Sequence, residues 1–193
     1  MPRPPKGPDR DRLYEIAEGQ AGLFTSRQAA EAGYSPQLLV HHGQSGRVAR
    51  VRRGIYRIVH FPAEENQELV EVWLWSKHSG VFSHATALSL LDLSDVLPAS
   101  LHLTLPLSWK GRRLRVPEGV ELHHADIAVE ERTWFGVVPV TTPARALNDC
   151  ASAGLSPEFL QQGAHQALRR GLATRAELDQ VEAALEPFGG LTP

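Results

Sequence analysis

Residues 32–62 read AGYSPQLLVHHGQSGRVARVRRGIYRIVHFP, and the front of the chain is organised around them. No acidic residue interrupts the run, while Arg47, Arg50, Arg52, Arg53 and Arg57 crowd its second half. Ser35 before Pro36 is a helix start: the serine hydroxyl can accept an orphan backbone N–H, and proline at the first helical position forfeits no useful donor. A short helix is expected over 36–45, ended by Gly46 in the left-handed conformation. Val48, Val51, Ile55 and Ile58 then mark two short strands turning at Arg53-Gly54. Helix, then basic hairpin, is the order of a winged helix-turn-helix.

The segments upstream complete that motif. Leu13, Ile16 and Ala17 share one face of a helix expected over 9–18, and Thr25 with Gln28 has the spacing of a capping box for a second helix ending at Gly33. Only Gly33 and Tyr34 then intervene, which suits a tight turn between DNA-binding helices. At 100° per residue, Leu39, Gly43 and Gly46 fall on one side of the third helix, and Gln37, Val40, His41 and Gln44 on the other. Glutamine can hydrogen-bond a base edge, and arginine can hold a phosphate or a guanine. The candidate DNA-binding set is therefore Arg27, Ser35, Gln37, His41, Gln44, Arg47, Arg50, Arg52, Arg53 and Arg57. The competing reading is an edge hairpin kept soluble by charge, although such edges usually mix signs. His41 and His42 point about 100° apart on a helix and cannot easily share a metal ion, so a groove-facing His41 and a packed His42 are expected.

The run GRVARVRRGIYRI behind a helix-turn-helix closely resembles the N-terminal domain of the AbiEi family of antitoxins and transcriptional regulators. The resemblance continues in FSHATALSLLDL (82–93), LHLTLP (101–106), VPVTTPARALNDCA (138–151) and ALRRGLATRAEL (167–178). It implies a winged helix-turn-helix that represses its own promoter at inverted repeats, followed by a domain that counteracts a nucleotidyltransferase-like toxin. The chain departs from similar sequences at Val40 and His41, where arginine is frequent. A free-standing regulator without a toxin, and a toxin-neutralising module whose DNA binding is secondary, are the alternatives.

The charge is unevenly spread. The net formal charge is −2, but residues 32–63 carry +5, so the remainder sums to −7. A basic module on an acidic body fits a protein whose front alone meets a polyanion. One cysteine, Cys150, permits no internal disulfide and fits a reducing cytoplasm. The opening MPRPPKGPDRDR lacks the apolar core of a signal peptide, no apolar run is long enough to span a membrane, and residues 1–8 read as a disordered lead.

The organisation expected is α+β: a winged helix-turn-helix over 9–62, then over 63–193 a small antiparallel sheet packed with helices. A mostly buried helix is expected to 77, carrying Leu69, Val70, Val72, Trp73 and Trp75. Ser83 caps another, with His84 in its first turn. Leu101, Leu103 and Leu105 alternate with His102 and Thr104; Leu114 with Val116 and Val120 with Leu122 form further apolar sets, read as antiparallel strands. The loop joining the first two holds Trp109, Lys110, Arg112 and Arg113, a possible second basic contact. His123 and His124 fall on opposite faces of a strand and share no metal. Helices follow from Pro143, with Arg145 and Asp149 paired four apart, from Pro157, and from a Thr174–Glu177 cap.

The sequence carries no recognisable enzyme signature. Lys6, Lys77 and Lys110 follow Pro4, Trp75 and Ser108 at the spacing where a restriction-type nuclease carries a carboxylate, and no Gly-Ser pair suggests a nucleotidyltransferase. P-loop, zincin and zinc spacings are missing as well. A non-enzymatic regulator with no cofactor and no metal is expected, bound to double-stranded DNA.

Overall fold

The computed structural model describes residues 7–62 and 65–191. Residues 1–6, most of the lead expected to be disordered, lie outside the described residues. The chain divides into two compact units, Met1–His78 and Ser79–Pro193, and the helix that follows the hairpin belongs to the first.

In the first unit, α1 (Arg10–Glu18) starts at Asp9, whose carboxylate accepts the Arg12 N–H, and α2 (Ser26–Glu31) starts at the Thr25–Gln28 capping box. Gly33, at φ +83°, turns the chain towards α3 (Pro36–Gln44), where a side chain would be strained. Three strands, β1 (Leu23–Thr25), β2 (Val48–Arg52) and β3 (Ile55–Ile58), pair antiparallel in the order β1-β3-β2. β1 is only three residues long and has no periodicity from which it could have been read. Leu13, Ala17, Phe24, Ala29, Tyr34, Leu39 and Val48 form the core beneath the helices, with Tyr56 and Ile58 packed against it. α4 (Gln67–Trp75) packs against β1 and β3, burying Leu69, Val70, Val72 and Leu74. The two faces of one small sheet are thus covered by different helices.

In the second unit five strands run in the order β6-β5-β4-β8-β7: β4 (Val81–Phe82), β5 (Leu101–Leu105), β6 (Val120–His124), β7 (Arg132–Phe135) and β8 (Val138–Thr141). The sheet is mixed. β4 pairs antiparallel with β5 and β7 with β8, but β4–β8 and β5–β6 are parallel, which corrects the expected antiparallel sheet. The physical reason is connection length: a parallel pair needs a crossover of about a dozen residues or more. The stretch from Pro106 to Gly119 supplies it, and it contains a 3-10 turn at Leu107–Trp109 but no strand at Leu114 or Val116.

Helices α5 (His84–Leu90), α6 (Pro143–Ser152), α7 (Pro157–Arg169) and α8 (Asp179–Leu185) complete this unit. α6 packs against α5, α7 and α8. Thr174 and Glu177 do form a capping box, but it closes a 3-10 turn over Arg175–Glu177 and α8 begins only afterwards. Gly80 lies so close to the sheet that a Cβ there would stand 2.8 Å from Leu103 Cγ. No described helix is long and apolar enough to cross a membrane.

Candidate nucleic-acid interface

Burial fixes the rotation of α3. Leu39 is 3% exposed and anchors the helix to the core, whereas Gln37, Val40, His41 and Gln44 all face outward, with Val40 60% exposed. Ser35 accepts the Leu38 N–H at 3.2 Å, so this hydroxyl serves as the helix cap. His42 leans on Tyr34, ring centroids 5.7 Å apart, and burial with Arg47 and His41 nearby lowers its pKa. It packs against the tyrosine while the adjacent His41 stays exposed.

The hairpin sorts its arginines by face. Arg50 lies opposite Tyr56 and Arg52 opposite Ile55, with a register shift between them. Tyr56 and Ile55 are neighbours on one strand and point to opposite sides. The extra residue, Val51, therefore turns Arg50 to the side of α3 and the core, and Arg52 to the side of α4, where simple alternation would have kept both together. Arg52 there donates to Glu71 of α4, whose side chain is only 12% exposed. Arg57 is likewise committed, donating to the Phe61 carbonyl at 2.8 Å. Arg27 pairs at 3.5 Å with Glu31 at the helix surface.

Arg47, Arg50 and Arg53 are different: each is exposed, and none makes an ion pair or side-chain hydrogen bond among the described residues. Arg53 sits at the hairpin turn beside Gly54, at φ +78°, whose carbonyl accepts the Ser26 N–H at 2.8 Å. The turn is thereby tied to the start of α2. Of the residues singled out from sequence, the structure brings Gln37, His41, Gln44, Arg47, Arg50 and Arg53 to the surface unencumbered and gives Ser35, Arg52 and Arg57 work inside the fold.

The second basic segment lies in the other unit. Lys110, Arg112 and Arg113 are exposed on the β5–β6 crossover, and the Arg112 guanidinium stacks 4.5 Å above the Trp109 ring. Two groupings in this unit escape a reading of the sequence. Arg145 joins Glu131 at 2.8 Å as well as Asp149 at 2.9 Å. His102 and Glu121, on paired strands, stand with His123 in a set able to hold a metal ion. Their separations of nineteen and two residues match no ligand spacing, so only the strand register could have shown it.

No curated protein matches the chain. Among solved structures, the chain is similar to the crystal structure of the RV2827C protein from Mycobacterium tuberculosis, at 15% identity and a TM-score of 0.46 over 96% of this chain and 83% of that one. Residues 11–59, which hold α1 to β3, match the family described as "Transcriptional regulator, AbiEi antitoxin". Over that segment, the one that carries α3 and the basic hairpin, this chain is similar to the AbiEi antitoxin transcriptional regulators.

Proposed function

We propose that the first unit is a winged helix-turn-helix and that the chain is a sequence-specific DNA-binding repressor acting on its own promoter at inverted repeats. The observation that carries this reading is the pairing of an outward polar face on α3 with three exposed arginines, on the hairpin and its approach, that make no ion pair among the described residues. In the mechanism proposed, Gln37, His41 and Gln44 meet major-groove edges, and Val40 offers an apolar contact for a thymine methyl. Arg47, Arg50 and Arg53 hold phosphates or enter the minor groove. Leu39 and the Ser35 cap fix the presentation of the helix without touching the duplex.

A gel-shift series on promoter DNA tests the assignment. Substitutions at Gln37 or Gln44 should change which sequences bind, whereas loss of Arg53 should weaken all duplexes alike. Promoter and scrambled duplexes bound equally by the intact chain would overturn it.

The family description also favours an antitoxin role, and the second unit is the part available to neutralise a nucleotidyltransferase-like toxin. Co-purification with the product of the neighbouring gene, retained by a chain carrying Arg47, Arg50 and Arg53 substitutions, is the outcome expected.

A further inference from the structure

The parallel register of β5 and β6 sets His102 against Glu121 and Thr104 against His123. Because alternate residues share a face, His102, Glu121 and His123 project from one side of the sheet. Their donor atoms converge. His102 Nδ1 and His123 Nε2 are 2.9 Å apart, and Glu121 oxygens stand 3.9 and 3.8 Å from those same two nitrogens. All three lie within 4.8 Å of one another.

A hydrogen bond between the two imidazoles accounts for the first distance, and Ser100 Oγ donates to Glu121 Oε2 at 3.4 Å, while the carboxylate lies outside hydrogen-bond reach of either ring. Around a tetrahedral ion with bonds of about 2.1 Å, donor atoms lie roughly 3.4 Å apart. The nitrogen–nitrogen edge is shorter than that and the two edges to the carboxylate, which end on different Glu121 oxygens, are longer, so an ion is seated once the exposed Glu121 side chain turns one oxygen towards both rings. We propose that His102, His123 and Glu121 form a binding site for a first-row transition-metal ion of the zinc class, on the outer edge of the second unit's sheet.

The chemistry suits that class of ion. Two imidazoles and one carboxylate favour zinc and its neighbours over magnesium or calcium, which prefer all-oxygen sites. Three protein ligands leave one tetrahedral position to water, and Glu121, 55% exposed at its side chain, places that opening at the surface. The ring planes are held in advance. His84 stacks on His123 with centroids 3.6 Å apart and planes within 17°, and on His102 at 5.7 Å. His84 Nδ1 in turn meets Ser83 Oγ at 2.9 Å, and Ser83 Oγ meets Thr104 Oγ1 at 2.7 Å, both hydroxyls buried. His84 is thus a positioning residue, fixed at φ +52° at the head of α5.

The consequence is mechanical. β6 is an edge strand held to the sheet by β5 alone. An ion with His102 on one strand and Glu121 and His123 on the other staples that edge. It supplies a cross-link that the long crossover between the two strands does not.

The test uses the full chain stripped with chelator. Zinc chloride alone should bind at one equivalent per chain in competition with a chromophoric chelator, and should raise the melting temperature through mass action. Cobalt(II) should give the intense visible absorption of a tetrahedral N/O site. His123→Asn should abolish the cobalt spectrum. Glu121→Gln, at an exposed position that leaves packing intact, should weaken zinc by about 10-fold or more and remove the thermal shift. His124→Ala, the neighbour on the opposite face, should leave binding unchanged. Zinc that fails to bind the wild type, or stoichiometric binding and cobalt absorption that survive both His123→Asn and Glu121→Gln, would overturn the assignment. If His123→Asn does not fold, Glu121→Gln alone decides.

Discussion

Replacing Arg47, Arg50 and Arg53 together by alanine tests the proposed electrostatic DNA binding apart from any structural role of these residues. None of the three makes an ion pair or side-chain hydrogen bond among the described residues, so the triple variant should fold with unchanged stability, since surface substitutions away from such features usually fall within about 0.5 kcal/mol. For every phosphate left without its arginine, the slope of log affinity against log salt should lessen by about 0.9, hence by about 2.7 for three. Between about 50 and 200 mM salt one such arginine then accounts for about 3.5-fold, and three for about 40-fold, of the wild-type fall in affinity. The assay is fluorescence anisotropy on a labelled promoter duplex at four or five salt concentrations.

Arg52→Ala provides the contrast. Its side chain is one third exposed and its guanidinium pairs with the carboxylate of Glu71, whose side chain is nearly buried. Removing it strands that carboxylate and should cost on the order of 1–3 kcal/mol of stability, with little change in the salt slope while the protein stays folded. A triple variant whose slope equals that of the wild type would refute the reasoning. So would a slope change for Arg52→Ala as large as that for Arg53→Ala.

Further outcomes follow from packing and titration. Leu39→Ala should cost about 2–5 kcal/mol in chemical denaturation, whereas its neighbour Val40→Ala, at an exposed position, should leave stability intact and alter affinity for thymine-containing sites only. Gly80→Ala should destabilise by about 1–3 kcal/mol because the new methyl overlaps Leu103, a cost visible as a lowered melting temperature. Burial, with Asp149 adding to it, pushes the Cys150 thiol up to about 12, so a thiol reagent at pH 8 should label the chain at the rate of global unfolding and not before. Burial alone would raise the Glu131 carboxyl, but the Ala128 N–H and the Arg145 guanidinium outweigh it and hold the group below its ordinary value. That contribution is present above the ordinary glutamate pKa and is lost as pH falls through the lower folded value. Wild type should therefore shed stability over that acid range, and Glu131→Gln should shed less; equal acid profiles would exclude the pairing as a source.

The first unit was legible because its signals are local. Ser35-Pro36, the Thr25–Gln28 box, Gly33 and the Arg53-Gly54 turn each determine their own few residues, and the structure shows a helix, a cap or a turn at every one. Phase alone then exposed Gln37, His41 and Gln44 and buried Leu39. What it could not give was the bulge at Val51. A one-residue insertion leaves no mark on composition, yet it changes the face of everything beyond it. Arg52 thereby ceases to be a free charge and becomes the partner of a carboxylate nineteen residues away.

The second unit was less legible for a related reason. Its alternating segments 101–105 and 120–124 were both recognisable as strands, but direction of pairing is not written in alternation; it is set by whether the intervening chain closes a turn or crosses over. Reading 114–116 as a strand made the connection short and the sheet antiparallel. With a parallel register His102 meets Glu121, and His123 falls two residues on along the same face. The opposite-face argument about His123 and His124 concerned neighbours on one strand. A ligand set assembled across two strands was beyond it, because no spacing within either strand carries that information.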